Sequence, residues 1–371
     1  MNEIRVFVTA TGCAGVGEQL LKTLRLSSLP LHITAADCAP YSSGFAGSDA
    51  ACILPPARDE RFSETLLREC RNRRIRALFI GSEAELSVIA PLRGEFEREG
   101  IFLPVQPPEV LRCCMDKAGL YERLAGLGFY VPWHCRVGRP ADLAGHPDYP
   151  LIFKPSRQSG GSADVFIVRN ALERDFFAEY LLALHGEFVA QAYVGTPEEE
   201  FTIGVLHDMD GARLGALALH RDLGSAFSRR LRVANTTARP ALGPQLVISS
   251  GISQGVLGAF PELCAQGIAI AEALGSRGPM NIQCRRVDGR LCLFEINPRF
   301  SGTTPLRALG GWNEPEILMR RHILGELTAP QVPSGSLRIG RRLEEVIITE
   351  EQQGEQACRI QTDAMPNLSH I

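Results

Sequence analysis

The sequence predicts a mixed fold: an α/β domain on a parallel sheet, followed by an α+β region of antiparallel strands and hairpins. Three observations carry this. Strand and helix patterns alternate from Ile4 to Ile80, which implies βαβ units. Short strands from Leu151 to His220 are joined by a Gly-rich loop and tight turns. Two apolar-rich strands from Met280 to Arg299 flank a turn at Asp288-Gly289-Arg290, a hairpin signature. A length of 371 residues suits two or three domains, and a 45% hydrophobic content supplies their cores.

Each element follows from its local pattern. IRVFVTA (4–10) is a β-branched, apolar run and reads as a buried strand. A helical pattern runs from Val16 to Leu26, a second strand from Leu31 to Ala36 ends at Asp37, a helix spans Phe62–Arg73, and a third strand covers Ala77–Ile80. This first domain is expected to run from 1 to about 112. Leu111–Leu127 reads as one amphipathic helix closed by Gly128, with Lys117 also placed at a helix start in Met115-Asp116-Lys117. Strands are expected at Leu151–Phe153, Val165–Val168, Phe188–Ala192, Phe201–Leu206 and Leu214–His220, and helices at Leu172–Leu184, Pro261–Leu274 and Glu314–Leu324. The polar tail from Glu350 lacks periodicity and is expected to be loose.

Composition narrows the function classes. Lys plus Arg is 39 against 42 for Asp plus Glu, so no basic excess points to nucleic acid and no charge block to a membrane surface. The opening MNEIRVFVTATG reads as a strand rather than a signal peptide, and no apolar run of about 18 residues suggests a membrane span. The 11 cysteines are odd in number and scattered, with no C-x-x-C, so reduced thiols in a cytoplasmic protein are expected and a zinc site is not.

Four segments carry chemistry. TGCAGVG (Thr11–Gly17) after the first strand, with Asp37 ending the next, approaches a dinucleotide fingerprint. The frame from Gly15 puts Leu20 in its third glycine position, so a repurposed Rossmann-like domain is expected rather than a working NAD site. In KPSRQSGGSAD (Lys154–Asp164), Ser159, Gly160, Gly161 and Ser162 free backbone N–H groups to cradle phosphate, and Lys154 at a strand end offers a fixed cation. Lys117 is a second candidate cation. In FVAQAYVGTPEEEFTIGVL, Gln191-Ala192-Tyr193-Val194 reads as a hinge whose backbone meets an adenine edge, and Glu200 as a ribose ligand; a solvated acidic turn is the rival reading.

The hairpin is the most informative segment. A three-residue loop places Val287 opposite Leu291, Gln283 opposite Glu295 and Asn281 opposite Asn297. Side chains two apart share a face, so all four oxygen-bearing groups project from one side, with Arg299 next. One carboxylate among amide oxygens suits Mg²⁺ carrying substrate phosphates. A one-residue change of register would put Gln283 on the other face.

These pieces, in this order, resemble the ATP-grasp superfamily, in particular the ATP-binding half of carbamoyl phosphate synthetase large subunits and similar single-copy ligases. The resemblance rests on DK at 116–117, the P-x-x-x-K-P stretch at 150–155, the Gly-rich loop, NIQ at 281–283, EINPR at 295–299 and GGWNEPEILMRRHILGE at 310–326. It implies a Rossmann-like pre-ATP-grasp domain (1–112), a small lobe (113–190), a large lobe (191–330) and a C-terminal extension (331–371). It also implies that Lys117 and Lys154 hold nucleotide phosphates and that Gln191 and Val194 meet adenine. Glu200 would bind ribose, and Gln283, Glu295 and Asn297 Mg²⁺, with Mn²⁺ an admissible substitute. Arg299 would steady the transferred phosphoryl group. The hinge departs from the pattern, with Gln-Ala where glutamate is common.

The implied reaction is ATP-dependent joining of a carboxylate and an amine, with amino acids as substrates, through an acyl phosphate. Such a reaction needs no general base, because the carboxylate is already ionised. His134 and His220 read as packed or surface residues, and Arg229-Arg230-Leu231-Arg232 as surface charge or as part of the site's mouth. Specificity would lie around 301–304, the 222–240 loop and the Gly turn of the first domain. A homodimer is common among look-alikes. A bicarbonate-using carboxylase or carbamoyl phosphate former, a reductase resting on Thr11–Gly17, and a non-catalytic nucleotide-binding module are the rival readings.

Overall fold

A computed structural model describes residues 3–12, 15–157, 163–327 and 331–348. Ser159, Gly160, Gly161 and Ser162 lie outside the described residues. Contacts divide the chain into two compact units between Leu103 and Pro104, ahead of the boundary at 112 read from the sequence. The reason is packing: Val110 and Cys114 join a core cluster with Leu120, Tyr121, Phe201 and Ile282 of the second unit.

The first unit runs β1 (Ile4–Val8), α1 (Val16–Arg25), β2 (Leu31–Asp37), β3 (Ala50–Ile53), α2 (Phe62–Asn72), β4 (Ala77–Phe79), α3 (Glu83–Ile89) and α4 (Arg93–Arg98). Its sheet, ordered β3-β2-β1-β4, is wholly parallel. Val6, Phe7 and Val8 are fully buried, as a strand covered on both faces requires, and α1 turns Leu20, Leu21 and Leu24 inward at helical spacing. The Rossmann-like expectation therefore holds for this unit. β3 is additional to the strands expected from the sequence; Ala50–Ile53 is short and has turn residues before it.

In the second unit, α5 (Pro108–Met115) and α6 (Lys117–Gly126) replace the single helix expected over Leu111–Leu127. Asp116 breaks it: its backbone is extended and its side chain accepts from Gly119 N at 3.1 Å, an N-cap in mid-pattern. A four-stranded antiparallel sheet, β5-β8-β6-β7, comprises β5 (His134–Val137), β6 (Leu151–Pro155), β7 (Phe166–Val168) and β8 (Phe188–Ala192), with α7 (Ala171–His185) packed on it through Ala178 and Leu181.

The larger sheet contains β9 (Glu200–His207), β10 (Arg213–Arg221), β13 (Gly255–Gly258), β14 (Pro279–Val287), β15 (Arg290–Asn297) and β16 (Leu337–Ile339), ordered β15-β14-β9-β10-β13-β16. β9, at its middle, is buried along its whole length. β16 belongs to this sheet although it lies in the stretch read as an extension from 331. A separate pair, β11 (Arg229–Ala234) and β12 (Gln245–Ser249), lies within and beyond the expected 222–240 loop. The helices α8 (Pro261–Ala273), α9 (Thr304–Leu309) and α10 (Glu314–His322) complete the unit. Among the described residues, no helix is long and apolar enough to cross a membrane.

The β14–β15 hairpin keeps the predicted functional pairing by a different route. Asp288 (φ 50°) and Gly289 (φ 74°) form a two-residue turn with both residues left-handed, the geometry that Asp-Gly favours. Val287 therefore faces Arg290, not Leu291. A bulge at Phe294 then adds one residue to β15, which restores Gln283 opposite Glu295 and Asn281 opposite Asn297.

Candidate functional site

The bulge does more than correct the register. Leu293 pairs with Cys284 and Glu295 with Gln283, so Phe294 has no opposite residue and its carbonyl is free to point elsewhere. It accepts from Lys154 Nζ at 3.0 Å and from the Tyr121 hydroxyl in a short contact. Lys154 Nζ also donates to Tyr121 Oη at 2.7 Å and Gln191 Oε1 at 2.9 Å. The ammonium thus sits in a cradle of neutral oxygens on α6, β8 and β15. Lys154 is 6% exposed, and burial, then the nearby Lys117 charge, pull its pKa from 10.5 to about 7, against the raising influence of Glu295. Burial and the Glu295 charge push the Tyr121 phenol well above its ordinary value, so it stays a hydroxyl.

Lys117, at the first turn of α6, places Nζ 3.3 Å from Glu295 Oε1. Two buried lysines therefore converge where a single carboxylate faces the Gln283 amide. Asn297, two residues along β15, is nearly buried, and its Oδ1 accepts from Arg299 Nη2 at 3.2 Å. Arg299 Nη1 donates to Phe300 O at 3.0 Å. Asn281 Oδ1 is enclosed by the hydroxyls of Thr202, Ser301 and Thr303 at 2.9–3.3 Å, so its oxygen is used in packing.

Lys117, Lys154, Gln283 and Glu295 head a cleft of about 700 Å³ that continues past Ala192, Tyr193 and Val194 to Glu200. Ile152, Val165, Ile248 and Phe294 supply apolar walls, the surface a planar base requires. Two of the expected site residues are engaged within the protein. The Gln191 amide is committed: its oxygen holds Lys154 and its nitrogen donates to Leu293 O at 3.2 Å, so the side chain is part of the lysine cradle rather than a free base contact. Glu200, 2% exposed, is clamped by Arg221 Nη1 at 3.0 Å and Arg285 Nη2 at 3.2 Å. Arg285 also donates to Val194 O at 3.1 Å and lies over the Tyr193 ring at 4.5 Å.

Three functional positions escaped the sequence reading. Tyr121 had a usable signal, since it lies four residues after Lys117 and shares its helix face. Arg285 follows Gln283 by two on β14 and shares its face in the regular part of the strand, but the bulge lies between them and on the partner strand. The Phe294 carbonyl carries no side-chain signal at all. The two histidines are packed, as expected: His220 stacks on Phe201 at 4.6 Å, and His134 meets the Tyr121 ring edge-on at 5.2 Å. Asp37, which ends the second strand of the fingerprint-like pattern, accepts from Gly12 N at 2.8 Å and Ala39 N at 3.0 Å.

Comparison with known proteins agrees with this geometry. Residues 250–341 match the family described as ATP-grasp in the biosynthetic pathway with Ter operon, and residues 13–104 match the PylC-like N-terminal domain. These matches, with the carbamoyl phosphate synthase relatives below, support an ATP-grasp superfamily protein. It is 24% identical over 260 residues to the carbamoyl phosphate synthase large chain of Gemmatimonas aurantiaca, a match covering 67% of this chain and 21% of that one. The chain thus spans about a fifth of the length of the curated relatives it matches. The chain also shares its fold with N5-carboxyaminoimidazole ribonucleotide synthetase from Thermus thermophilus, at a TM-score of 0.61 and 19% identity, covering 89% of this chain and 81% of that one. An L-amino acid ligase from Bacillus licheniformis gives 0.60 and 16%, covering 86% and 73%.

Proposed function

We propose that the chain is an ATP-dependent carboxylate–amine ligase that forms an amide or peptide bond and releases ADP and phosphate. One observation carries this reading. At the head of the cleft two buried lysines face a carboxylate, with Lys117 at 3.3 Å from Glu295 and Lys154 held, among the described residues, by neutral oxygens. Buried charge without a counter-charge is costly. A polyphosphate supplies the missing negative charge, and the apolar cleft beyond accepts the base.

The donor set fits Mg²⁺: the Glu295 carboxylate and the Gln283 amide oxygen share one rung of the ladder, and Asn297 follows on the same strand. Bound there with the nucleotide, the ion would neutralise charge on the transferring phosphoryl group. Lys117 and Lys154 take the phosphate oxygens, Tyr193 and Val194 the base, Glu200 the ribose, and Arg299 the acyl phosphate. A substrate carboxylate oxygen attacks the γ-phosphorus and ADP leaves. An amine nitrogen then attacks the acyl carbon, inorganic phosphate departs, and the amine gives up a proton. Amino acids are the proposed substrates, in keeping with the name of the Bacillus licheniformis relative in fold. ATP with Mg²⁺ at 100 times its Kd should stabilise the protein by about 2.7 kcal/mol, whereas NADH should not. Pairs of amino acids are then screened for ADP release, with mass spectrometry of the products. If no pair exceeds the enzyme-free blank, the ligase reading fails.

The 24% identity to a carbamoyl phosphate synthase large chain favours a second reading, formation of carbamoyl phosphate from bicarbonate. Bicarbonate with ammonia, run in the same screen, separates the two.

A further inference from the structure

The sequence RRLR at 229–232 is not used by the nucleotide cleft. Strict strand alternation puts Arg229 and Arg232, an odd number of residues apart, on opposite faces. The β11–β12 register slips between Arg229 and Leu231, so plain alternation does not govern the start of this strand. Arg229 and Arg232 line a second cavity, with about 1130 Å³ of empty space, between the β11–β12 pair and the end of β10. Arg232 is braced by Gln245 Oε1 at 3.2 Å. The Arg221 Nε–H, from a residue that also lines this cavity, is buried with no hydrogen-bond partner among the described residues. Across the cavity stand the Glu198 and Asp222 carboxylates. Asp222 accepts from Gly224 N at 2.8 Å through Oδ1 and from Gln254 Nε2 at 3.2 Å through Oδ2. Among the described residues neither the Arg229 guanidinium nor the Glu198 carboxylate has a side-chain partner, although both line one space.

Two unpaired opposite charges that face one cavity without meeting suit a ligand carrying both signs. We propose that this cavity is a second small-molecule site for a zwitterion of the α-amino acid class, its carboxylate on Arg229 and Arg232 and its ammonium toward Glu198 and Asp222. A planar carboxylate matches the guanidinium fork, and charge-assisted bonds at both ends fix orientation. The Glu200–Arg221 ion pair separates this cavity from the nucleotide cleft, so the proposal does not depend on the ligase reading.

The test uses the full chain without nucleotide. Saturation-transfer NMR against an equimolar pool of the twenty L-α-amino acids identifies the member bound, and its carboxamide and N-acetyl derivatives are the arms lacking one charge. The expected result is binding of at least one amino acid, with about tenfold or more weakening for each derivative and for Arg229→Gln and Glu198→Gln. Both variants should keep the wild-type melting temperature. Absence of binding from the whole pool overturns the proposal. So does binding by both variants with wild-type affinity, which would place the ligand elsewhere.

Discussion

Two buried charge clusters in the second unit look alike by composition and differ in balance. Arg307 and Glu314 form one: Nε and Nη2 donate to the two carboxylate oxygens at 2.8 and 2.9 Å, and Nη1 donates to Thr303 Oγ1 at 2.6 Å. Each cation charge has its anion, both residues are 1% exposed, and the hydroxyls of Ser301, Thr303 and Thr304 complete the shell. Lys117, Lys154 and Glu295 form the other, with two cations for one anion and an open cleft at their head. A closed cluster holds α9 against α10. The open one is where the proposed function places charge from outside. Net charge at a buried site, rather than the number of charged residues, separates packing from binding. It also explains why the 301–304 segment, read from the sequence as a specificity region, has two of its hydroxyls turned inward on Asn281.

Breaking the closed cluster should have the largest effect on stability. Arg307→Ala leaves Glu314 buried without its counter-ion, and a loss of about 3–5 kcal/mol is expected from urea unfolding. Breaking the open cluster should do the reverse. Glu295→Gln removes the carboxylate beside Lys117 and should cut ADP release by about 100-fold or more, comparable to removing one preorganised charge-stabilising group. Its urea midpoint without nucleotide should move far less than that of Arg307→Ala, because Glu295 is 28% exposed by side chain. Wild-type ADP release with Glu295→Gln would end the metal assignment.

The sequence displayed the contrast only in part. Pairing of Gln283 with Glu295 was read from a three-residue loop, and the structure reaches the same pairing with a two-residue turn plus a bulge. The bulge was not legible, because a one-residue insertion is fixed by distant donors, Lys154 and Tyr121, on the Phe294 carbonyl. Gln191 was read as a hinge residue through its backbone, and the hold of its amide on Lys154 was not legible, since that contact arises only once β6 and β8 lie side by side. In the first unit, TGCAGVG looked like a cofactor turn, yet a Cβ on Gly17 would lie 2.2 Å from Thr9 O and one on Gly81 2.0 Å from the same atom. Those glycines serve close backbone packing, a use that composition does not distinguish from phosphate binding. β11 and β12 were hidden by polar, Pro- and Gly-flanked sequence, and their pairing is wholly tertiary.

Proton linkage sharpens the comparison further. The Lys154 pKa is lowered from 10.5 to about 7 by burial first and by Lys117 second. A lysine depressed on folding binds its proton more weakly in the native state, so native stability rises with pH between about 7 and 10.5. Nucleotide phosphates favour the charged form and should raise that pKa on binding. MgATP affinity is then greatest below about pH 7 and falls as pH rises beyond it, with net proton uptake near pH 8. Calorimetry in buffers of different ionisation enthalpy measures the uptake, and Lys154→Gln should abolish it. Equal uptake in that variant would assign the proton to another group.

The smallest effect is expected from Tyr121→Phe, which keeps the ring in the core and deletes only the hydroxyl. That hydroxyl accepts from Lys154 at 2.7 Å and donates to the Phe294 carbonyl, so it links the cation to the bulge. Gln191 Oε1 and Phe294 O remain as acceptors, which limits the stability change to about 0.5–1.5 kcal/mol. The Lys154 position loosens, so KM for ATP should rise several-fold while kcat changes by less than about twofold. A purely structural hydroxyl would lower stability and leave both constants where they were. If KM for ATP is unmoved, the cradle is packing, and Lys154 finds the phosphates without it.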